Sequence, residues 1–269
     1  MAGAMIAFVG VDGSYVVLTS FMTVGCLLIL KVSQSKNRID VSTEIEDQKG
    51  LSQIYSNLVD GFKYVFTSQT ISAVIVITIF MNLLLFPYMQ MVTVVSKEVL
   101  NVGPLLMGIL MASDGMGALI GSIGIASQDR MKYHGRIYLY GSLLSLGALF
   151  LFSSSSIYFI SLALLLFLGI GTSGFGTMQS TIVLLVSKPE LRGRALGVVT
   201  IAIGAGPIGS LIIGAVSEWI GSSSALMINS VLGFILVAAS GFLMPSIRGQ
   251  ILPATVSNQP TRSGSVTKV

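Results

Sequence analysis

Charge is scarce in this sequence: only 10% of its 269 residues are Asp, Glu, Lys or Arg, against about 25% in an ordinary soluble domain. A water-facing globule of this size is excluded on that ground. Cysteine is scarcer still. Cys26 stands alone, which rules out a disulfide framework and a thiolate zinc site. His134 is the only histidine and lies in a basic stretch, where it reads as a solvated loop residue. With one histidine and one cysteine, no nucleophile stands beside a base and no His/Cys/Asp cluster can form, so neither an enzyme site, a metal site nor a cofactor is expected.

What fills the chain instead is apolar. Hydrophobic residues make up 53% of it, and its mean hydropathy is +0.87. About 20 apolar residues cross a bilayer as a helix, and runs of that kind lie at 14–33, 70–95, 104–126, 137–153, 157–184, 196–217 and 224–244. All seven are expected to be helices, because an open sheet edge leaves unpaired backbone groups in hydrocarbon. The first run has no short apolar core followed by a small-residue cleavage site, so it is not read as a signal peptide.

The net charge of +4 does not point to nucleic acid, because the basic residues are scattered over short loops. Lys31, Lys36, Arg38, Lys49 and Lys63 flank the first long loop; Arg130, Lys132 and Arg136 occupy the third turn; Lys188, Arg192 and Arg194 the fifth; Arg248, Arg262 and Lys268 the tail. Every Lys and Arg but Lys97 therefore falls on one side, which by the positive-inside rule is the cytoplasm of a cell membrane, with the N-terminus outside. Trp219 precedes the short turn GSSS, at the headgroup level where such a ring is favoured.

Residues 33–50 carry both charge signs and no apolar face, as a cytoplasmic linker would. In LSQIYSNLVDGFKYVF, residues 51–66, apolar positions recur at helical spacing opposite Ser52, Gln53, Asn57, Asp60 and Lys63. This predicts an amphipathic helix in the cytoplasmic interface. An internal echo pairs Gly3, Ala4 and Gly10 with Gly214, Ala215 and Gly221, so that residues 1–10 read as the outer half of a span whose beginning is missing.

Two strings, GIGTSG at 169–174 and GAGPIG at 204–209, spell a dinucleotide-binding pattern. That chemistry needs a preceding strand and a solvent-facing helix start. Both strings lie inside apolar spans, where small residues let helices approach closely and Pro207 bends one.

The cytoplasmic turns SQDRMKYHGRI (127–137) and SKPELRGRALG (187–197) resemble those of the major facilitator superfamily, which has a D-R…G-R turn and a P-E-x-R-G-R-A turn in each of these places. One departure is that Gly124 precedes Asp129 by five residues, where the family usually has four. The resemblance covers almost the whole chain and implies an all-α membrane protein with a six-helix C-terminal bundle at 70–245. One further transmembrane helix and a partial one would precede it at 1–33, joined by a linker and interfacial helix at 34–69, with a tail at 246–269. The chain then looks like an N-terminally truncated transporter whose partner is the missing N-terminal half. The nearest branch is the exporters of drugs and siderophores, enterobactin exporters and macrolide-efflux permeases among them. What this implies is proton-coupled efflux of a small molecule by alternating access, with Asp129, Arg130 and Arg136 as a cytoplasmic gate and Arg192 and Arg194 as lesser partners in it. A seven-helix receptor and a non-transporting scaffold are the competing plans; the half-span at 1–10 and the absence of a mid-span lysine speak against the receptor.

One residue stands out within the spans. MGILMASDGMGALIGS, 107–122, is apolar and small throughout except for Asp114. An acid there costs at least ~2.5 kcal/mol to insert and is expected to face protein or water. Asp114, Gly117, Gly121 and Gly124 recur at spacings of three and four, on one stripe. With no lysine or arginine near the middle of another span to pair it, desolvation favours the neutral acid, and an acid that titrates as its surroundings change can carry a proton or bind a cationic substrate. Asn82 and Gln179 are the candidate cavity amides, and Met81, Met89, Met91, Met107, Met111 and Met116 suit an adaptable apolar lining or lipid-facing filler.

Overall fold

A computed structural model of the chain describes residues 13, 15–28, 61, 63–128 and 133–251. Among them there is no strand. Six helices are long and apolar enough to cross a membrane: α2 (Gln69–Glu98), α3 (Pro104–Ala126), α4 (His134–Ser153), α5 (Tyr158–Val186), α6 (Pro189–Ile220) and α7 (Ser222–Leu243). They are preceded by α1 (Tyr15–Leu28), a shorter apolar helix whose side chains, such as Phe21 at 74% exposure, the rest of the protein leaves uncovered. Residues 1–10, the linker 33–50, most of the amphipathic segment 51–66 and the tail beyond Ile251 lie outside the described residues.

The helices end where the chain chemistry requires. Pro104 stands in the first turn of α3 and Pro207 in that of the second half of α6, positions where a missing N–H has no helical partner to lose. Gly221, at φ 84°, turns the chain from α6 into α7 in a conformation that only glycine adopts freely. His134 is not a loop residue: it opens α4 and is half-buried. The expected run 196–217 lies within a longer element and crosses its break: the element starts at the Pro189–Leu191 turn, continues as Arg192–Ile203 and resumes at Gly206.

α5 is the axis of the bundle, packed along α3 on one side and α4 on the other, while α7 covers α4 and α2 crosses α5, α6 and α7. Both glycine strings act in this packing. A Cβ at Gly169 would overlap the carbonyl oxygen of Asp114, and one at Gly171 would come within 2.6 Å of the Gly141 carbonyl oxygen and 2.7 Å of the Ser145 nitrogen. Gly209 lies against the Leu83 carbonyl oxygen in the same way. Backbone-to-backbone contact of this kind replaces the hydrophobic drive that lipid cannot supply. The described end of the interfacial segment, helical over 63–67, docks here too, with Val65 buried and the Tyr64 hydroxyl accepting a hydrogen bond from Lys188 N at 3.2 Å.

Candidate functional site

Asp114 lies at the middle of α3 with its backbone pressed on α5. Gly117 sits against the Leu166 carbonyl and Gly121 against the Ser173 hydroxyl, so these two members of the expected stripe do face protein. Gly124 does not; no neighbour lies within 4 Å of its would-be Cβ. The outer end of α3 is tied to α5 by the Tyr158 hydroxyl, which donates to the Leu106 carbonyl at 3.0 Å.

The carboxyl of Asp114 has a partner on α2. The Tyr88 hydroxyl donates to its Oδ2 at 2.8 Å, and Tyr88 is only 3% exposed. Oδ1 is buried with no hydrogen-bond partner among the described residues. What positions Tyr88 is an irregularity in α2. Residues Met81–Leu85 form a π turn, Pro87 follows without an N–H to donate, and Tyr88 opens the outer helical segment Tyr88–Glu98. The extra residue of a π turn rotates everything after it around the helix axis, and here it brings Tyr88 toward α3.

Asn82 and Gln179 meet through a residue the sequence reading passed over. Gln179 Nε2 donates to Thr78 Oγ1 at 2.7 Å, Asn82 Nδ2 donates to the Thr78 carbonyl at 2.9 Å, and the Tyr138 hydroxyl lies 3.0 Å from Thr78 Oγ1 while donating to the Val74 carbonyl at 2.9 Å. This network joins α2, α4 and α5, and Asn82 and Gln179 are 7% and 6% exposed within it. Phe175 stacks on Tyr138 with ring centroids 5.2 Å apart and touches Phe86 at 5.8 Å. The Thr78-to-Asn82 spacing of one helical turn was a legible hint of the first link. Nothing local marked Tyr138 or Tyr88, because aromatic residues inside a span are ordinary.

The residues expected to form the gate divide. Asp129 and Arg130 lie outside the described residues. Arg136 is exposed, its guanidinium 4.2 Å over the Tyr133 ring, and its Nε donates to the Arg248 carbonyl at 2.9 Å, so it clasps the turn Pro245–Ile247 that follows α7. Gly135 permits this, because a Cβ there would overlap the Ile247 carbonyl oxygen. Arg192 and Arg194 stand exposed at the start of α6, where Gly61 packs on the Arg194 backbone. The methionines also divide: Met81 and Met91 are buried in the core, whereas Met89, Met111 and Met116 are exposed. No group of acidic, histidine or cysteine side chains able to hold a metal occurs among the described residues.

Six helices long and apolar enough to cross a membrane, held together by close glycine contacts, describe a multi-pass membrane protein. No curated protein matches the chain. Residues 1–261 match the transmembrane secretion effector family of the major facilitator superfamily. The chain belongs to that family and is a membrane transporter.

Proposed function

We propose that this transporter exports a small molecule of the drug or siderophore class, exchanging it for protons, and that Asp114 is the residue that carries the proton. One observation supports the reading above others: a carboxyl at mid-span, with Oδ2 held by Tyr88 and Oδ1 buried without a hydrogen-bond partner among the described residues, while neither α3 nor its neighbour α5 carries a lysine or arginine. A carboxylate so placed is costly in its charged form and is tolerated where it serves transport. Protonation neutralises it and equips it with a donor; exposure to water on the other side lets the proton leave.

Within that reading, residues 70–245 form the C-terminal bundle and residues 1–33 belong to the bundle before it, and the substrate path runs where the two face one another near the midplane. Asn82 and Gln179 border that path through the network centred on Thr78. Asp129, Arg130 and Arg136, with Arg192 and Arg194 beside them, close it on the cytoplasmic side.

The test uses everted membrane vesicles carrying the chain, with ethidium and erythromycin as probes. Acidifying the lumen drives uptake of at least one probe above vesicles without the protein, and Asp114→Asn removes the dependence on the proton gradient. Uptake that Asp114→Asn leaves fully gradient-dependent, or no uptake of either probe, overturns the proposal.

A further inference from the structure

Tyr88 has no role in the reading above beyond being a neighbour, yet its placement is specific. It is 3% exposed, it gives its hydroxyl to Asp114 Oδ2 at 2.8 Å, and it is the first residue of the segment Tyr88–Glu98. That segment is joined to the inner part of α2 through the weakest stretch of the helix. The π turn Met81–Leu85 has widened hydrogen-bond geometry and Pro87 contributes no donor, so the outer segment is the part of α2 freest to pivot. Its other polar tie lies at its far end, where Ser222 Oγ of α7 is 3.4 Å from Glu98 Oε2.

We propose that Tyr88 is the positioning residue of Asp114. Its hydroxyl holds the carboxyl in one orientation, and the protonation of Asp114 sets how firmly the outer segment of α2 is held against α3. This rests on Asp114 being the proton carrier. The physical step is short. A hydrogen bond to a carboxylate is roughly twice as strong as one to a neutral acid. Ionised Asp114 therefore grips Tyr88, and with it the outer segment. Neutral Asp114 grips it less.

Few other groups act on this pair. Within α3 Asp114 is the sole titratable residue. The facing helix α5 offers only Tyr158, at its outer end and engaged with the Leu106 carbonyl. The outer segment of α2 adds Lys97 and Glu98, about two and a half turns beyond Tyr88 at 3.6 residues per turn. α7, which packs on the same segment, has none.

The experiment is an infrared pH titration of the carboxyl stretch in the whole chain in lipid vesicles, with Asp114→Asn identifying the band. Tyr88→Phe keeps the ring and its burial but removes the donor, so the charged form loses a partner and the titration midpoint moves up by about one pH unit. Replacing Tyr88 with 3-fluorotyrosine, nearly the same size and a stronger donor, moves it down. A merely structural role for the ring does not produce shifts of opposite sign. Spin labels on Met89→Cys and Leu105→Cys, in a Cys26→Ser background, separate as pH falls in the parent and stop responding to pH in Tyr88→Phe. An Asp114 band whose midpoint ignores both replacements, or a label distance that never responds to pH, overturns the positioning role and leaves the proton carrier standing. Absence of any band removed by Asp114→Asn defeats the proton carrier itself.

Discussion

At the scale of single residues, what decides this protein is where a Cβ is absent. Gly169 touches the backbone of Asp114, and a Cβ there would also come within 2.8 Å of Ala118 N. Neither neighbour is the movable end of a side chain, so α3 and α5 would have to separate. Overpacking of that kind costs typically about 1–3 kcal/mol. Gly169→Ala is therefore expected to lower the thermal midpoint of the protein in detergent by several degrees. Gly115→Ala, next to Asp114 in the chain but facing open space, should leave the midpoint unchanged or raise it slightly. Equal effects of the two would show that the α3–α5 contact is looser than described. Gly169 and Asp114 form one construction: the glycine lets the helices close, and closure is what buries the backbone beside the acid.

Among the elements, the irregular ones place the chemistry. α2 would be a continuous α-helix but for its π turn and Pro87, and the turn both rotates Tyr88 to Asp114 and presents the Leu83 carbonyl to Gly209 of α6. At the basic end of the bundle, the turn Pro245–Ile247 is held by contacts to the start of α4. Arg136 supplies a hydrogen bond to the Arg248 carbonyl and a cation stacked on Tyr133, while Gln250 reaches the Tyr133 hydroxyl at 3.4 Å. Together the two Arg136 contacts are worth about 1–2 kcal/mol. Arg136→Ala should then speed amide hydrogen exchange over residues 245–251 roughly tenfold, with the helices beside them unaffected. Arg136→Lys keeps the charge but not the planar group, and should restore only part of the protection. Unchanged exchange in Arg136→Ala would mean the turn is held by the Gly135 contact alone.

For the whole molecule, the distribution of charge makes a statement about orientation. Ser127, Gln128 and Tyr133, with the turn at 187–191, sit at the basic end of the bundle, and the turns at 154–157 and Gly221 at the other. The positive-inside bias predicts that the basic end lies in the cytoplasm. In a Cys26→Ser background, Ser155→Cys should react with a membrane-impermeant maleimide on intact cells, whereas Gln128→Cys should react only after permeabilisation. The reverse pattern would invert the topology. Trp219, 88% exposed at the end of α6, agrees with an aromatic at the outer headgroup level.

The amino-acid sequence by itself determined that this chain is a membrane-embedded helical bundle, how its crossings are spaced, and that Asp114 is an exceptional residue. Those are properties of contiguous stretches: length in apolar residues, helical period and charge scarcity are all local. Only the tertiary structure decided what Asp114 meets. Tyr88 is 26 positions away and Gln179 is 101 positions from Thr78, and both pairings depend on how far each helix is turned about its own axis. A π turn shifts that angle, and because the inner segment Gln69–Phe80 is apolar nearly all round, its hydrophobic pattern has no phase against which the rotation of the outer segment could be read. The arginines show the same division. Their side of the membrane follows from composition, but that Arg136 clasps the turn after α7 follows from Gly135 allowing the two backbones to touch.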